Sequence, residues 1–159
     1  MKFAEPIYKL IGAEVSFYDL MPDTTIGTIK MGSKTYQWNN WADIVEPYSG
    51  TEVWATYTNQ YYAGKAAVIN RKFGKGTVTF VGPDTDDGAL EKATLQKVYQ
   101  QAAIPILNLP KGVILDWRDG FWIGVNYGQA DFRVPVKAGA KILIGHTQLK
   151  PAEVIVWKD

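Results

Sequence analysis

Cysteine is absent from the 159 residues, and histidine occurs once, at His146. Without thiols there is no disulfide framework and no thiolate metal site, and one imidazole does not make a zinc cluster. No cofactor is expected. Long apolar runs are missing too: none approaches the ~20 residues that cross a bilayer. Met1 to Leu10 lacks the charged-then-apolar layout of a secretory signal. No membrane partner is therefore expected, and the compartment is left open, with the cytoplasm favoured. Charge of one sign is also scarce, since 17 Lys and Arg face 16 Asp and Glu for a net charge of +1. The basic residues are scattered, so no nucleic-acid partner is expected.

What remains is an ordinary globular composition, 47% hydrophobic and 21% charged. A chain of this length buries roughly 70% of its unfolded surface, enough for a genuine core. Aromatics stand out: six Trp, nine Tyr and six Phe make up 13%. Such rings fill a core, seal an interface or stack on sugar faces.

Ala13, Val15 and Phe17 alternate with Glu14 and Ser16, the period of a half-buried strand that residues 19–23 break. Thr25 to Lys30 and Lys34 to Trp38 form a predicted hairpin about Met31-Gly32-Ser33, and Thr51 to Thr58 a further strand. Ala66 to Phe73 and Thr77 to Val81 flank Gly74-Lys75-Gly76, a second hairpin. One helix is expected, from about Gly88 to Ala103, with Leu95, Val98, Tyr99 and Ala102 on one face at helical spacing, the apolar stripe of an amphipathic helix. Asp86 or Asp87 would cap it, Glu91 would complement its dipole, and Ile104-Pro105 would end it. After a linker only strands are expected: Val113 to Trp117, Phe121 to Asn126, Ala130 to Val136, Lys141 to Ile144 and Val154 to Trp157. Pro135 favours an edge, and the pattern suits a small antiparallel β-sandwich.

Candidate chemistry is sparse. Asp84-Thr85-Asp86-Asp87-Gly88 reads as a hard-metal or acid/base loop, or as helix capping; it lacks the spaced ligands and distal Glu of a calcium loop, which favours capping. Phe73-Gly74-Lys75-Gly76 mimics a phosphate cradle, but a β-prone run rather than a helix follows it. His146 lies far from any pattern of nucleophile and base and reads as structural. Catalytic, cofactor and metal residues are therefore assigned to none. The aromatics Trp38, Trp41, Trp54, Tyr57, Tyr61 and Tyr62 are the candidate interface or sugar-stacking residues, with core packing as the third reading. Trp54 and Tyr57, three apart, cannot share a face of a regular strand. For Trp117, Trp122 and Trp157 core packing is the leading reading, a carbohydrate surface the lesser one.

Trp41-Ala42-Asp43, Val53-Trp54-Ala55-Thr56-Tyr57, Tyr61-Tyr62-Ala63-Gly64-Lys65, Asn70-Arg71-Lys72-Phe73-Gly74-Lys75-Gly76 and Thr79-Phe80-Val81-Gly82 follow one another in a characteristic order. Leu10-Ile11-Gly12-Ala13-Glu14-Val15 precedes them, and Leu109-Pro110-Lys111-Gly112-Val113 follows. This collinear pattern resembles the C-terminal part of glycoside hydrolase family 42 β-galactosidases, with departures at Ala66, near Pro83 and after Asn126. The resemblance implies a mixed, β-rich α/β and α+β chain. A partial glutamine-amidotransferase-like (flavodoxin-like) trimerisation domain would occupy 1–104, a linker 105–111 and a small antiparallel β domain 112–159. It further implies a parent that hydrolyses terminal β-D-galactosides on a catalytic barrel. The parent's acid/base residue follows an asparagine, and this chain has no Asn-Glu dipeptide. The expectation is a non-catalytic structural and oligomerisation segment, whose partners are the remainder of a glycosidase or further copies of itself, a trimer in the parent. The alternative is a carbohydrate-binding module using exposed aromatics.

Overall fold

The computed structural model describes residues 5–22, 24–85 and 88–159. The chain divides into two compact units, Met1–Ile106 and Leu107–Asp159.

In the first unit, tight turns dictate the topology. Helix α1 (Glu5–Ile11) leads into β1 (Ala13–Leu20). Strands β2 (Gly27–Met31) and β3 (Lys34–Trp38) pair as a hairpin across Gly32, whose φ of 60° suits a residue without a Cβ. Strands β4 (Trp41–Pro47) and β5 (Thr51–Tyr57) follow, then the hairpin β6 (Ala66–Phe73) and β7 (Gly76–Val81), turning at Gly74. Helix α2 (Ala89–Gln101) closes the unit. The sheet runs β1-β4-β6-β5-β2-β3, with β7 also on β6.

Every strand pair among the described residues is antiparallel. These residues therefore form a β-rich antiparallel fold, not the parallel sheet that a flavodoxin-like domain requires. The reason lies in the connections: parallel neighbours need crossovers of a dozen or more residues. Here short turns join the strands, and α2 comes after the last strand of the unit. Strand β4 was not anticipated from the sequence, yet it joins β1 to the rest of the sheet.

The two sheet faces carry separate cores. One holds Ile29, Trp38, Ile44, Trp54, Tyr57, Tyr62 and Val68, with Leu90 and Val98 of α2 packed onto it. The other holds Ala13, Val45, Ala66 and Ile69 under Ile11 of α1. Gly27 makes the first core possible, because a Cβ there would lie 2.1 Å from Trp38 Nε1.

Bulges decide which side chains face which core. In β1 the pairing with β4 slips between Val15 and Phe17, leaving Ser16 as the extra residue, its hydroxyl donating to the Ile44 carbonyl at 3.0 Å. Val15 consequently packs under α1 while Phe17 turns to the opposite core, so the regular alternation expected from Ala13 to Phe17 fails at Ser16. Register also shifts on both sides of Ala55 in β5. Trp54 and Tyr57 thereby enter the same core, which a regular strand forbids.

Helix α2 is rotated relative to expectation. Leu90 and Thr94 are its buried residues and Val98 is half-buried, whereas Leu95 and Tyr99 are exposed. Spacing alone made the larger apolar residues the inner stripe, but Leu90 one turn earlier and the small Thr94 fit under the helix better. The proposed caps Asp86 and Asp87 lie outside the described residues. Glu91 instead accepts a hydrogen bond from the Thr85 hydroxyl just ahead of the helix.

The second unit contains β8 (Val113–Arg118), β9 (Phe121–Asn126), β10 (Phe132–Arg133), β11 (Lys141–Ile144), β12 (Gln148–Leu149) and β13 (Val154–Lys158). A four-stranded sheet β11-β13-β9-β8 and a two-stranded sheet β10-β12 share one core of Val134, Leu149, Ile155 and Trp157. The strand expected over Ala130 to Val136 shrinks to two residues, since Pro135 has no N–H for a ladder. Its alternation survives: Phe132 and Val136 are half-buried and Val134 buried, between exposed Arg133 and Pro135. Asn126, fully buried, ties the end of β9 in place by donating to the carbonyls of Ala130 (2.9 Å) and Leu149 (3.2 Å) and accepting from Gly128 N (2.9 Å).

Candidate functional surface

The six singled-out aromatics separate into two groups. Trp38, Trp54, Tyr57 and Tyr62 are buried, and a buried ring presents no face to a ligand or partner. Trp41 is 37% exposed and Tyr61 81% exposed. Edge-to-face contacts run through the buried set, Trp38 on Tyr57 at 5.7 Å and Tyr57 on Tyr62 at 5.2 Å, the preferred arrangement of aromatic quadrupoles. Their hydroxyls are satisfied: Tyr62 donates to Asp19 at 2.6 Å and Tyr57 to the Asp43 carbonyl at 2.9 Å. Burial holds both phenols well above the ordinary tyrosine range, helped for Tyr62 by its bond to Asp19. Lys97 of α2 sits 4.2 Å from the Trp54 ring centre, a cation–π contact. These residues form an interior.

Of the exposed two, Tyr61 stacks on Phe17 at 5.7 Å and meets Tyr62 edge-on, beside the same interior, whereas Trp41 marks a different place. After the Ser16 bulge, Tyr18 and Leu20 project from β1 to the α1 side, opposite Asp43 and Trp41 of β4. Tyr18 stacks on Trp41 with centroids 4.7 Å apart and planes 6° from parallel. The described helix α1 is seven residues long and covers the Ala13 and Val45 end of the sheet, leaving this end open. The result is a groove of about 750 Å³ lined by Ile7, Tyr8, Val15, Phe17, Tyr18, Trp41 and Phe80, with Ser16 and Asp43 as its polar members. Trp41 Nε1 donates to Asp43 Oδ1 at 3.1 Å. Desolvation nonetheless wins, and the Asp43 carboxyl is raised above its usual range.

Sequence reading singled out Trp41 of this groove but missed Tyr18 and Asp43. Without β4 and the bulge, nothing indicated that these side chains share a face. The other candidates lie elsewhere. Asp84 accepts from Asn40 Nδ2 at 3.5 Å, Gly74 to Gly76 turns a hairpin, and His146 Nε2 lies 3.2 Å from Glu153 on the surface. Among the described residues no group of three or more His, Asp or Glu could hold a metal ion.

A family model described as the β-galactosidase trimerisation domain matches residues 2–110, and another described as the β-galactosidase C-terminal domain matches residues 113–159. The chain belongs to the family 42 β-galactosidases. Among its relatives, β-galactosidase BgaB of Geobacillus sp. (strain Y412MC61) is 29% identical over 114 residues, 72% of this chain and 17% of that protein. β-Galactosidase BgaA of Clostridium cellulovorans is 36% identical over 107 residues, covering 65% and 16% respectively. The fold is shared with Gan42B, a family 42 β-galactosidase, at a TM-score of 0.80 and 17% identity, over 99% of this chain and 25% of that one. It is also shared with the β-galactosidase of the psychrophilic Marinomonas ef1, at 0.77 and 23%, over 99% and 22%. This family 42 chain thus spans a quarter or less of these relatives' length. It covers their trimerisation and C-terminal domains, and the open groove lies within the part matched to the trimerisation domain.

Proposed function

We propose that the chain is the assembly portion of a family 42 β-galactosidase, holding copies together without performing the chemistry itself. The observation that carries this reading is the pair of family matches over 2–110 and 113–159, trimerisation domain followed by C-terminal domain. The uncovered apolar groove supports it, since monomeric soluble proteins seldom leave a contiguous apolar patch of this kind open. On this reading the parent hydrolyses terminal β-D-galactosides, and its amidotransferase-like character belongs to the longer domain to which the antiparallel sheet is attached. Light scattering combined with size exclusion is expected to give a mass above that of a monomer, and a chromogenic β-galactoside to give no turnover. Substantial hydrolysis by the chain alone would overturn it.

A second reading is favoured by one observation: Trp41 and Tyr18 stack beside a carboxylate, the combination of flat ring and acceptor that suits a sugar. It makes the groove a carbohydrate site. Saturable quenching of Trp fluorescence by galactose or a galactoside is its expected sign, and a flat response rejects it.

A further inference from the structure

The first unit has a second uncovered apolar feature besides the groove. On α2, Leu90, Thr94 and Val98 face inward, and Lys97 reaches Trp54. Lys92, Leu95 and Tyr99 fall on the opposite side at i, i+3 and i+7, with Leu95 57% and Tyr99 45% exposed. Lys92 is exposed and makes no ion pair among the described residues. The ridge therefore offers two apolar side chains and one cation along two helical turns, about 10 Å. The groove offers the complement: apolar walls and Asp43, a carboxylate that burial already disfavours.

Two further facts select the occupant. A ring of three identical chains closes only through heterologous contacts, in which one patch of each copy meets a different patch of the next. Self-pairing of one patch gives a two-fold dimer instead. The chain belongs to a family whose matched domain is described by trimerisation, and its first unit carries two such patches on opposite sides of one sheet. The Ser16 bulge also breaks the free edge of β1, a device that discourages strand-to-strand addition and leaves side-chain docking as the favoured mode. We propose that the groove between α1 and the Tyr18–Trp41 stack receives the Lys92–Leu95–Tyr99 ridge of α2 from a neighbouring copy. Helix-in-groove docking with anchors at this spacing is a common mode of recognition, and Lys92 would supply the counter-charge that Asp43 lacks. This inference rests on the assembly reading above.

The test uses the full chain and two variants, Leu20→Arg beside the groove, across the strand pair from Trp41, and Leu95→Glu on the ridge. Both positions are exposed, and far-UV circular dichroism with a thermal midpoint checks that each variant folds. Sedimentation velocity across a concentration series is expected to show the unchanged chain associating and each variant alone weakened by about tenfold or more, as for lost interface anchors. An equimolar mixture is the decisive sample. The intact ridge of Leu20→Arg can enter the intact groove of Leu95→Glu once, so mixing restores a 1:1 dimer but no trimer. Variants that associate like the unchanged chain, or a mixture that stays monomeric, overturn the groove-and-ridge contact while leaving assembly through another surface standing. An unchanged chain that stays monomeric overturns both readings. Galactose that quenches Trp fluorescence and dissolves the assembly at the same concentrations supports the groove as the contact; quenching with no effect on the assembly assigns the groove to sugar and overturns the contact.

Discussion

The two faces of the first unit's sheet are closed to different extents, and the difference is largely one of helix length. On the face carrying Trp38 and Tyr57, α2 brings thirteen residues, about 20 Å of helix. On the other face the described α1 brings seven, about 10 Å. The closed face has edge-to-face aromatics with their phenolic hydroxyls paired; the open face has a stacked Tyr18–Trp41 pair and a carboxylate caught between water and interior. Both faces are apolar, but among the described residues only one is covered. Aromatic richness therefore has two meanings here, separated by a few ångströms of backbone.

The sharpest way to break this contrast is to hollow the closed face. Trp38→Ala is expected to cost about 3–5 kcal/mol, as large-to-small changes at buried rings do, and urea denaturation should show it as a lower midpoint. Trp38→Phe should cost much less than that, because the indole N–H is buried without a partner among the described residues. A medium effect is expected from Tyr62→Phe, which removes the bond to Asp19 and should cost about 1–2 kcal/mol in the same assay.

The smallest effect belongs to the open face and carries a pH signature. Asp43 is raised above its ordinary 3.8 mainly by desolvation, so the folded state holds its proton more tightly than the unfolded chain does. Stability from this group is thus fully present below about pH 4 and declines as pH rises through the folded value. At concentrations where the chain is unassociated, Asp43→Asn should therefore gain stability over the unchanged chain at pH 7 and lose that advantage toward pH 4. Thermal midpoints of the two proteins across that range check it, and parallel curves would show that Asp43 is not held in this way.

Much of the first unit could be read from residue pattern because its hairpins turn on glycines that announce themselves, Gly32 and Gly74. Strand β4 could not. Ala42 and Ile44 serve one core while Val45 serves the other, and Asp43 and Glu46 interrupt them, so no two-residue period is visible. The bulges were invisible for a related reason: a pattern counts residues, whereas pairing with the neighbouring strand decides when a residue is skipped. That is why Trp54 and Tyr57 could share a core against the rule of alternation, and why Tyr18 came to line the groove. The ridge of α2 was misassigned because apolar residues lie on both sides of that helix, and only the packing of Leu90 shows which side turns inward. Family membership was the more legible property, since it depends on motif order and spacing along the chain rather than on the phase of any one strand.

The extra residue in β1 acts as a phase switch. Deleting Ser16 would leave Phe17 paired with Ile44 and every side chain beyond it on its present face, whereas taking Ser16 into the ladder as a paired residue would slip the strand by one, swinging Tyr18 and Leu20 toward the aromatic interior and Phe17 and Asp19 outward. In the slipped register Asp19 would be drawn away from Tyr62, and the groove would lose the ring stacked on Trp41. A one-residue slip of register at this point is thus enough to rewrite what the protein shows to its neighbours, a larger step in surface chemistry than any single substitution along the strand could make.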